Sequence, residues 1–333
     1  MTAKELAKKL GLSAAAVSMA LNNRPGVSAE TRKKVLAAAK QYGLDVLHFA
    51  DKQSDDRTIC FILYRRQGAV VGDTPFFSQL TEGIESECQK SGCKLHISYM
   101  QKEDEIKRQL ADILHLGCSG IILLGTEMTR EDYIPFSDLN VPLVLLDVYF
   151  DKVGHDCILI NNVQGAFLAT DYLITRTKKQ PGYLHSAYSI ANFEERADGF
   201  YKAIRHHGMS TSKSIVHRLT PNVEGAYADM LELLESGEEL APCYFADNDW
   251  IAIGAMRAFL EKGKKIPDDI SIIGFDDIPF ASYINPPLTT VHVPKKYMGE
   301  MATRRLINII QTPGQFIVKI EIETQLVPRS STI

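Results

Sequence analysis

The sequence predicts an α/β protein with a small all-α head of three helices, followed by two doubly wound parallel-sheet lobes. Three observations carry this prediction. Charge is divided unevenly: residues 1–45 hold eight Lys and Arg against three acids, a net of +5, whereas the 333-residue chain has a formal net charge of −4 and so leaves −9 for the rest. The first 45 residues carry helix periodicity interrupted by a glycine turn. From Ile59 onward, short apolar runs alternate with longer amphipathic ones, the pattern of strand, helix, strand units in a parallel sheet covered on both faces.

In the head, Thr2 followed by Glu5 has the form of a capping box, and Leu6, Ala7 and Leu10 make one apolar stripe that stops at Gly11. After the turn "GLS", Ser13 is placed to cap a second helix through Leu21, with Val17 and Leu21 facing inward. "NNRPG" breaks that helix, and Ser28 starts a third through Tyr42. Helix, tight turn, helix, braced by a third helix, is the helix-turn-helix layout of DNA-reading proteins. A plain three-helix packing module has the same pattern. A basic head on an acidic body favours the nucleic-acid reading.

In the body, "ICFILY", "KLHISYM", "GIILLG" and "VPLVLLD" read as one series of strands. "CILINN", "GYLHS", "IVHRL", "CYFAD" and "ISIIGFD" read as a second. Two series over about 270 residues suggest two open-sheet lobes, although one closed eight-stranded barrel needs only about 250. No GxGxxG or GxxxxGK[ST] string opens any of these helices, which removes most support for dinucleotide and nucleoside-triphosphate chemistry. Cys60, Cys88, Cys93, Cys118, Cys157 and Cys243 are scattered, without paired spacing; Cys60, Cys118 and Cys243 fall in or beside apolar runs and read as small core residues in a reducing compartment, and no metal site and no cofactor are expected. The N-terminus has no export signal and no later run is apolar enough to span a bilayer, so the expectation is a cytoplasmic protein without a membrane partner.

The run "KELAKKLGLSAAAVSMALNNRPGVSAETRKKVLAAAKQYG" resembles the DNA-binding head of the lactose/galactose repressor family of transcriptional regulators. Two later stretches, "FADNDWIAIGAMRAF" and "IPDDISIIGFDDIPFASYINPPLTTVHVPKKYMGEMATRRL", are similar to that family in the same order, so the resemblance covers essentially the whole chain. It implies a homodimer whose paired heads sit on pseudo-palindromic operator DNA. It also implies a body similar to type I periplasmic binding proteins, closing on a small effector, usually a sugar. On that pattern residues 1–45 are the head, 46–56 the hinge or linker, and 57–330 the effector-binding and dimerisation body. Lobe one would take about 57–160 and 288–315, and lobe two about 161–287 and 316–330.

In the family the second helix enters the major groove. Here its early positions are Ala14 and Ala15, then Ala16, with Met19 further along. Methyl groups cannot make the bidentate bonds that discriminate bases; they pack on thymine methyls or permit close approach. Ser13, Ser18 and Asn22 are the polar candidates there. Ser28, Thr31 and Arg32 can meet phosphate, and Lys4, Lys8, Lys9, Arg24, Lys33 and Lys34 supply salt-dependent affinity. Many family members carry an N-x-x-A-R-x-L hinge helix, but the aligned run here is "LHFADKQ". Leu47, Asp51 and Gln53 replace its asparagine, arginine and leucine, so a flexible polar linker and a weaker or absent DNA bend are expected.

For the cleft, the family pattern gives Phe76 and Phe77 as an aromatic face, Thr126 and Asp147 at strand ends, Arg196 from the second lobe, and Asn248 and Asp276 beyond it. Carboxylates, amides and an Arg suit hydroxyl groups, and an aromatic face suits the apolar side of a sugar ring. Phe76 and Phe77 can equally be core, Asp249 and Asp277 caps or turn formers, and Trp250 packing behind Asn248. The expected function is a sequence-specific DNA-binding transcriptional regulator, a repressor, controlled by a sugar or sugar derivative, and not an enzyme. A sugar-binding protein, or a carboxylate-based glycosidase built on Asp147 and Asp276, is the alternative without a DNA role.

Overall fold

The computed structural model describes residues 3–21, 27–41, 57–72, 74–101 and 103–333. The chain divides into two compact units, Met1–Arg57 and Thr58–Ile333. In the first, α1 (Ala3–Leu10), α2 (Ala14–Leu21) and α3 (Ala29–Gln41) pack around Leu6, Ala7, Val17, Ala20, Val35, Ala38 and Ala39. Gly11 turns the chain between α1 and α2 at φ +63°, a conformation that disfavours a side chain, and the Leu12 N–H donates back to the Ala7 carbonyl at 3.1 Å. Both expected caps form: Ser13 Oγ accepts from the Ala16 N–H at 3.0 Å and Ser28 Oγ from the Thr31 N–H at 3.1 Å. The capping box at Thr2, the Leu21 side chain, Asn22, Tyr42 and the hinge run 46–56 lie outside the described residues.

The second unit contains β1 (Thr58–Tyr64), β2 (Lys94–Met100), β3 (Cys118–Leu124), β4 (Leu143–Leu146), β5 (Asp156–Ile160) and β6 (Gly182–Ser186). After these come β7 (Val216–Leu219), β8 (Cys243–Ala246), β9 (Ser271–Ile273), β10 (Thr290–His292), β11 (Lys319–Ile322) and β12 (Gln325–Val327). The helices between them are α4 (Pro75–Lys90), α5 (Glu103–His115), α6 (Arg130–Ser137), α7 (Asn162–Thr177), α8 (Ala191–His206) and α9 (Val223–Glu235). The series closes with α10 (Asp249–Glu261), α11 (Phe280–Tyr283) and α12 (Lys295–Gln311).

Lobe one is a six-stranded sheet in the order β11-β5-β4-β3-β1-β2, with every pair parallel. Its inner strands β1, β3, β4 and β5 read as nearly unbroken apolar runs because both faces are covered. Along β1, Ile59, Phe61 and Leu63 enter one core while Cys60, Ile62 and Tyr64 enter another on the opposite face. Lobe two is a four-stranded parallel sheet in the order β7-β6-β8-β9. Parallel bridges Ile273↔Thr289 and Asp276↔His292 continue it toward β10, which pairs antiparallel with β12. The doubly wound expectation holds, and no described helix is long and apolar enough to cross a membrane.

The lobe limits hold at 160 and shift at two other places. Asp156–Ile160, grouped by order along the chain with the second series, pairs with β4 in the first sheet, as the limit at 160 implies. Strand β11 lies inside the range expected for lobe two, yet it pairs with β5 of lobe one. Residues 288–292, expected in lobe one, bond to lobe two instead. The chain therefore returns to lobe one just before α12 and leaves it just after β11. Helix α12 packs on α4 at close range, because a Cβ on Gly83 would overlap the Lys296 carbonyl and one on Gly299 the Leu80 carbonyl. That contact anchors the returning chain to the element that begins with Phe76 and Phe77.

Candidate functional site

Open parallel sheets bind ligands beyond the carboxyl ends of their strands, and here those ends from both lobes converge on a cleft of about 350 Å³. All seven residues expected from the sequence line it: Phe76, Phe77, Thr126, Asp147, Arg196, Asn248 and Asp276. The volume lies within the roughly 300–1,000 Å³ of small-molecule sites.

Phe76 and Phe77 stand in the first turn of α4, their rings edge to face with centroids 5.0 Å apart. Each is buried in the hydrophobic core and also lines the cleft. Asp147 follows β4 at φ +61°, and its Oδ2 accepts the Thr126 hydroxyl at 2.6 Å. Its Oδ1 is buried with no hydrogen-bond partner among the described residues. Arg196, on α8, is 3% exposed. Its Nε donates to Asn162 Oδ1 at 2.9 Å, Nη1 to the Asp247 carbonyl, and Nη2 to Asp276 Oδ1 at 3.2 Å. The guanidinium lies 3.8 Å from the Phe275 ring centroid. It reaches the cleft already held by lobe-two partners, rather than as a free clamp.

Asn248 caps α10, its Oδ1 accepting the Ile251 N–H at 2.8 Å, while it also lines the cleft. Asp249 is structural: it accepts the Thr290 hydroxyl at 2.5 Å and the Ile278 N–H at 2.9 Å. Asp277 sits at a positive-φ turn, bound to Arg329 at 2.6 Å and His292 at 2.8 Å. Trp250 lines the cleft and packs on Phe280 with centroids 5.5 Å apart.

Electrostatics follow from burial. Desolvation pushes the Asp147 carboxyl up to about 6, against the Thr126 hydroxyl, Arg196 and the Asn192 side chain, which favour its charged form. Asp276 is also raised by burial, opposed by Arg196 and Lys295. Asp249 is pushed up to about 8 by burial and by the charge of Asp276. Burial would raise Asp277 too, but its bonds to His292 and Arg329 hold it near about 2. Lys295 is lowered by burial and donates to the carbonyls of Asp276 and Asp277, tying the start of α12 to the turn that presents Asp276.

Sequence reasoning missed Asn192 and Asn222, and Gly68, Ala69, Val70 and Gly72 of the segment 68–72, all of which line the cleft. A signal for Asn192 was present, since it lies four residues before Arg196 on one helix face. Asn222 precedes a helix and caps it through the Gly225 N–H at 2.8 Å, an ordinary N-cap pattern. Segment 68–72 has only small or apolar side chains and gave no signal.

In the head, Ser13 and Ser28 are exposed, while Met19, Thr31 and Arg32 are half-buried. Ser28 Oγ and Thr31 Oγ1 bond to each other at 2.8 Å. Ala14, Ala15 and Ser18 lie on α2, and their side chains fall outside the described residues. Lys8, Lys9, Lys33 and Lys34 are exposed.

Residues 2–44 match the model of bacterial regulatory proteins of the lacI family, and residues 170–332 that of a periplasmic binding protein-like domain. The HTH-type transcriptional repressor PurR of Pasteurella multocida (strain Pm70) is 30% identical over 334 residues, covering 99% of this chain and 98% of the relative. The chain belongs to the LacI family of bacterial regulatory proteins. Among solved structures, the Lac repressor dimer bound to operator and the anti-inducer ONPF is 25% identical, with a TM-score of 0.72 and coverage of 100% of this chain and 99% of that one. A LacI family regulator from Enterococcus faecium with bound ribose is 26% identical, TM-score 0.71, covering 83% of this chain and 98% of that one. As a LacI-family member, the chain is a DNA-binding transcriptional regulator with an effector-binding body, and the Pasteurella multocida relative is a transcriptional repressor.

Proposed function

We propose that the chain represses transcription as a homodimer on a pseudo-palindromic operator, and that a sugar or sugar derivative bound between its lobes controls operator affinity. The observation that carries the effector reading is the cleft itself. It combines a phenylalanine pair with the acceptors Asp147, Asp276 and Asn248, and Asp147 Oδ1 is buried without a hydrogen bond among the described residues, with the Asn192 side chain as a neighbouring donor. A polyhydroxylated ring supplies donors in plane and an apolar face above it. The solved relative with bound ribose supports this class.

Operator and dimer are supported by the Lac repressor dimer bound to operator. On this chain, Ile97 and Tyr99 on the edge strand β2 are 41% and 51% exposed, and Phe280 and Tyr283 on lobe two are 52% and 85% exposed. Such apolar groups fit a surface that a second copy covers. A binding role is supported by Asp276, the partner Asp147 would need in a catalytic carboxylate pair, being engaged by Arg196.

Thermal unfolding against D-ribose, D-galactose, cellobiose, sugar phosphates and purine bases tests the effector class. A ligand at one hundred times its dissociation constant stabilises the body by about 2.7 kcal/mol. A stabilising sugar whose effect disappears in Arg196→Lys supports the proposal. Stabilisation by purines alone would replace the sugar reading with a heterocycle.

A further inference from the structure

Segment 66–72 forms part of the lobe-one wall of the cleft, through Gly68, Ala69, Val70 and Gly72, and it is neither helix nor strand. One side chain from far along the sequence holds it. Glu127, three residues beyond β3, receives the N–H groups of Arg66 at 2.9 Å, Gln67 at 2.9 Å and Gly68 at 3.0 Å on Oε2. On Oε1 it receives Val70 at 2.7 Å and Val71 at 2.8 Å. Five backbone amides converging on one carboxylate have the geometry of an anion-binding nest. Gly68, at φ +68°, supplies the left-handed residue that such a turn requires.

Side chains contribute little to this hold. Arg66, Gln67 and Gly68 are exposed, and within 66–71 only Val71 enters the core. Glu127 itself is 7% exposed. Burial pushes its carboxyl pKa up, yet the amides of Val71, Gln67, Val70 and Gly68 outweigh that and leave it below the ordinary value.

We infer that segment 66–71 is an anion nest occupied by the chain's own Glu127, which makes Glu127 a positioning residue for the cleft and reserves this wall for uncharged ligands. The inference rests on the cleft being the effector site. With these amides taken, Arg196 is the one cation among the described lining residues, and it is committed to Asn162, Asp247 and Asp276. Asp147 and Asp276 add negative charge. A phosphate or carboxylate on the ligand would be desolvated there without an uncommitted partner, whereas hydroxyl groups find acceptors.

The test uses the full chain and its Glu127→Ala and Glu127→Gln variants, followed by amide hydrogen exchange with acetate or with chloride at matched ionic strength. In Glu127→Ala, amides 66–68, 70 and 71 should exchange at least ~tenfold faster, while those of β1 and β3 keep their rates. Acetate should slow them again by filling the emptied nest. It should leave the native protein unchanged, and also Glu127→Gln, whose side chain still occupies the space. If Glu127→Ala does not fold, faster exchange in Glu127→Gln confined to the same amides supports the assignment. Unchanged rates in both variants, or acceleration throughout lobe one that acetate does not reverse, would overturn it. Stabilisation of the native protein by D-ribose 5-phosphate in preference to D-ribose would overturn the reservation for uncharged ligands. No response to any sugar would sink the sugar reading, while the exchange experiment still decides the nest.

Discussion

At Asp147, burial raises the carboxyl pKa to about 6, above the roughly 3.9 of an unfolded aspartate. A raised folded pKa stabilises the body below about pH 4, and that contribution is lost as the pH rises through about 6. Asp147→Asn removes the charge, so the variant should be more stable than the native protein at pH 8 by about 2–3 kcal/mol and indistinguishable from it at pH 4. Urea unfolding at the two pH values checks this; equal stability at pH 8 would mean that the charge costs nothing. Asp249, raised to about 8, is common to both proteins and cancels in the difference. A ligand that donates to Oδ1 favours the charged carboxylate, so its affinity should fall by up to about tenfold per pH unit below about pH 6. Arg196 behaves oppositely. Arg196→Ala leaves Asp276 buried without its ion-pair partner and should cost about 3–5 kcal/mol at pH 7, measured by the same unfolding.

Among the elements, Ser13 and Ser28 show how local chemistry sets the head. Each satisfies an orphan N–H at the start of a helix, so Ser13→Ala should destabilise the isolated head transition by about 1 kcal/mol, read by circular dichroism on melting. Gly83→Ala places a methyl group against the Lys296 carbonyl and should cost about 1–3 kcal/mol by forcing α4 off α12. These elements could be read in advance because their signals are local: caps, glycine stops, and strands whose unbroken apolar runs follow from cover on both faces. The return crossings could not. Lys319–Ile322 is a short run, only one residue of which is buried, and nothing in its own composition says that its partner is β5. The same distinction runs through the site. Thr126, Asp147, Asn248 and Asp276 come from the family pattern, and they stand at or just beyond strand ends, where such a pattern can be placed on the sequence. Glu127 was not legible, because its partners are backbone amides some sixty positions earlier, and amides leave no mark in a sequence.

For the whole molecule, the exposed edge strand β2 and the Tyr283 region predict self-association. The chain should sediment as a dimer, and Ile97→Asp combined with Tyr99→Asp should weaken dimerisation by at least ~tenfold, about 1.4 kcal/mol, in analytical ultracentrifugation. A dimer of unchanged affinity would place the interface elsewhere. With paired heads, effector and operator affinities must alter each other by the same factor, and a coupling of about 1–3 kcal/mol suffices for regulation. The measurement to make is calorimetric unfolding of the full chain with neutral sugars and their phosphates, in the native protein and in Asp147→Asn. The structure predicts that a neutral sugar raises the melting temperature of the body by several degrees, that its phosphate does so less, and that Asp147→Asn loses the response. Equal stabilisation of the native and variant proteins, or a response to the phosphate alone, would contradict a cleft built to receive hydroxyl groups on a buried carboxylate.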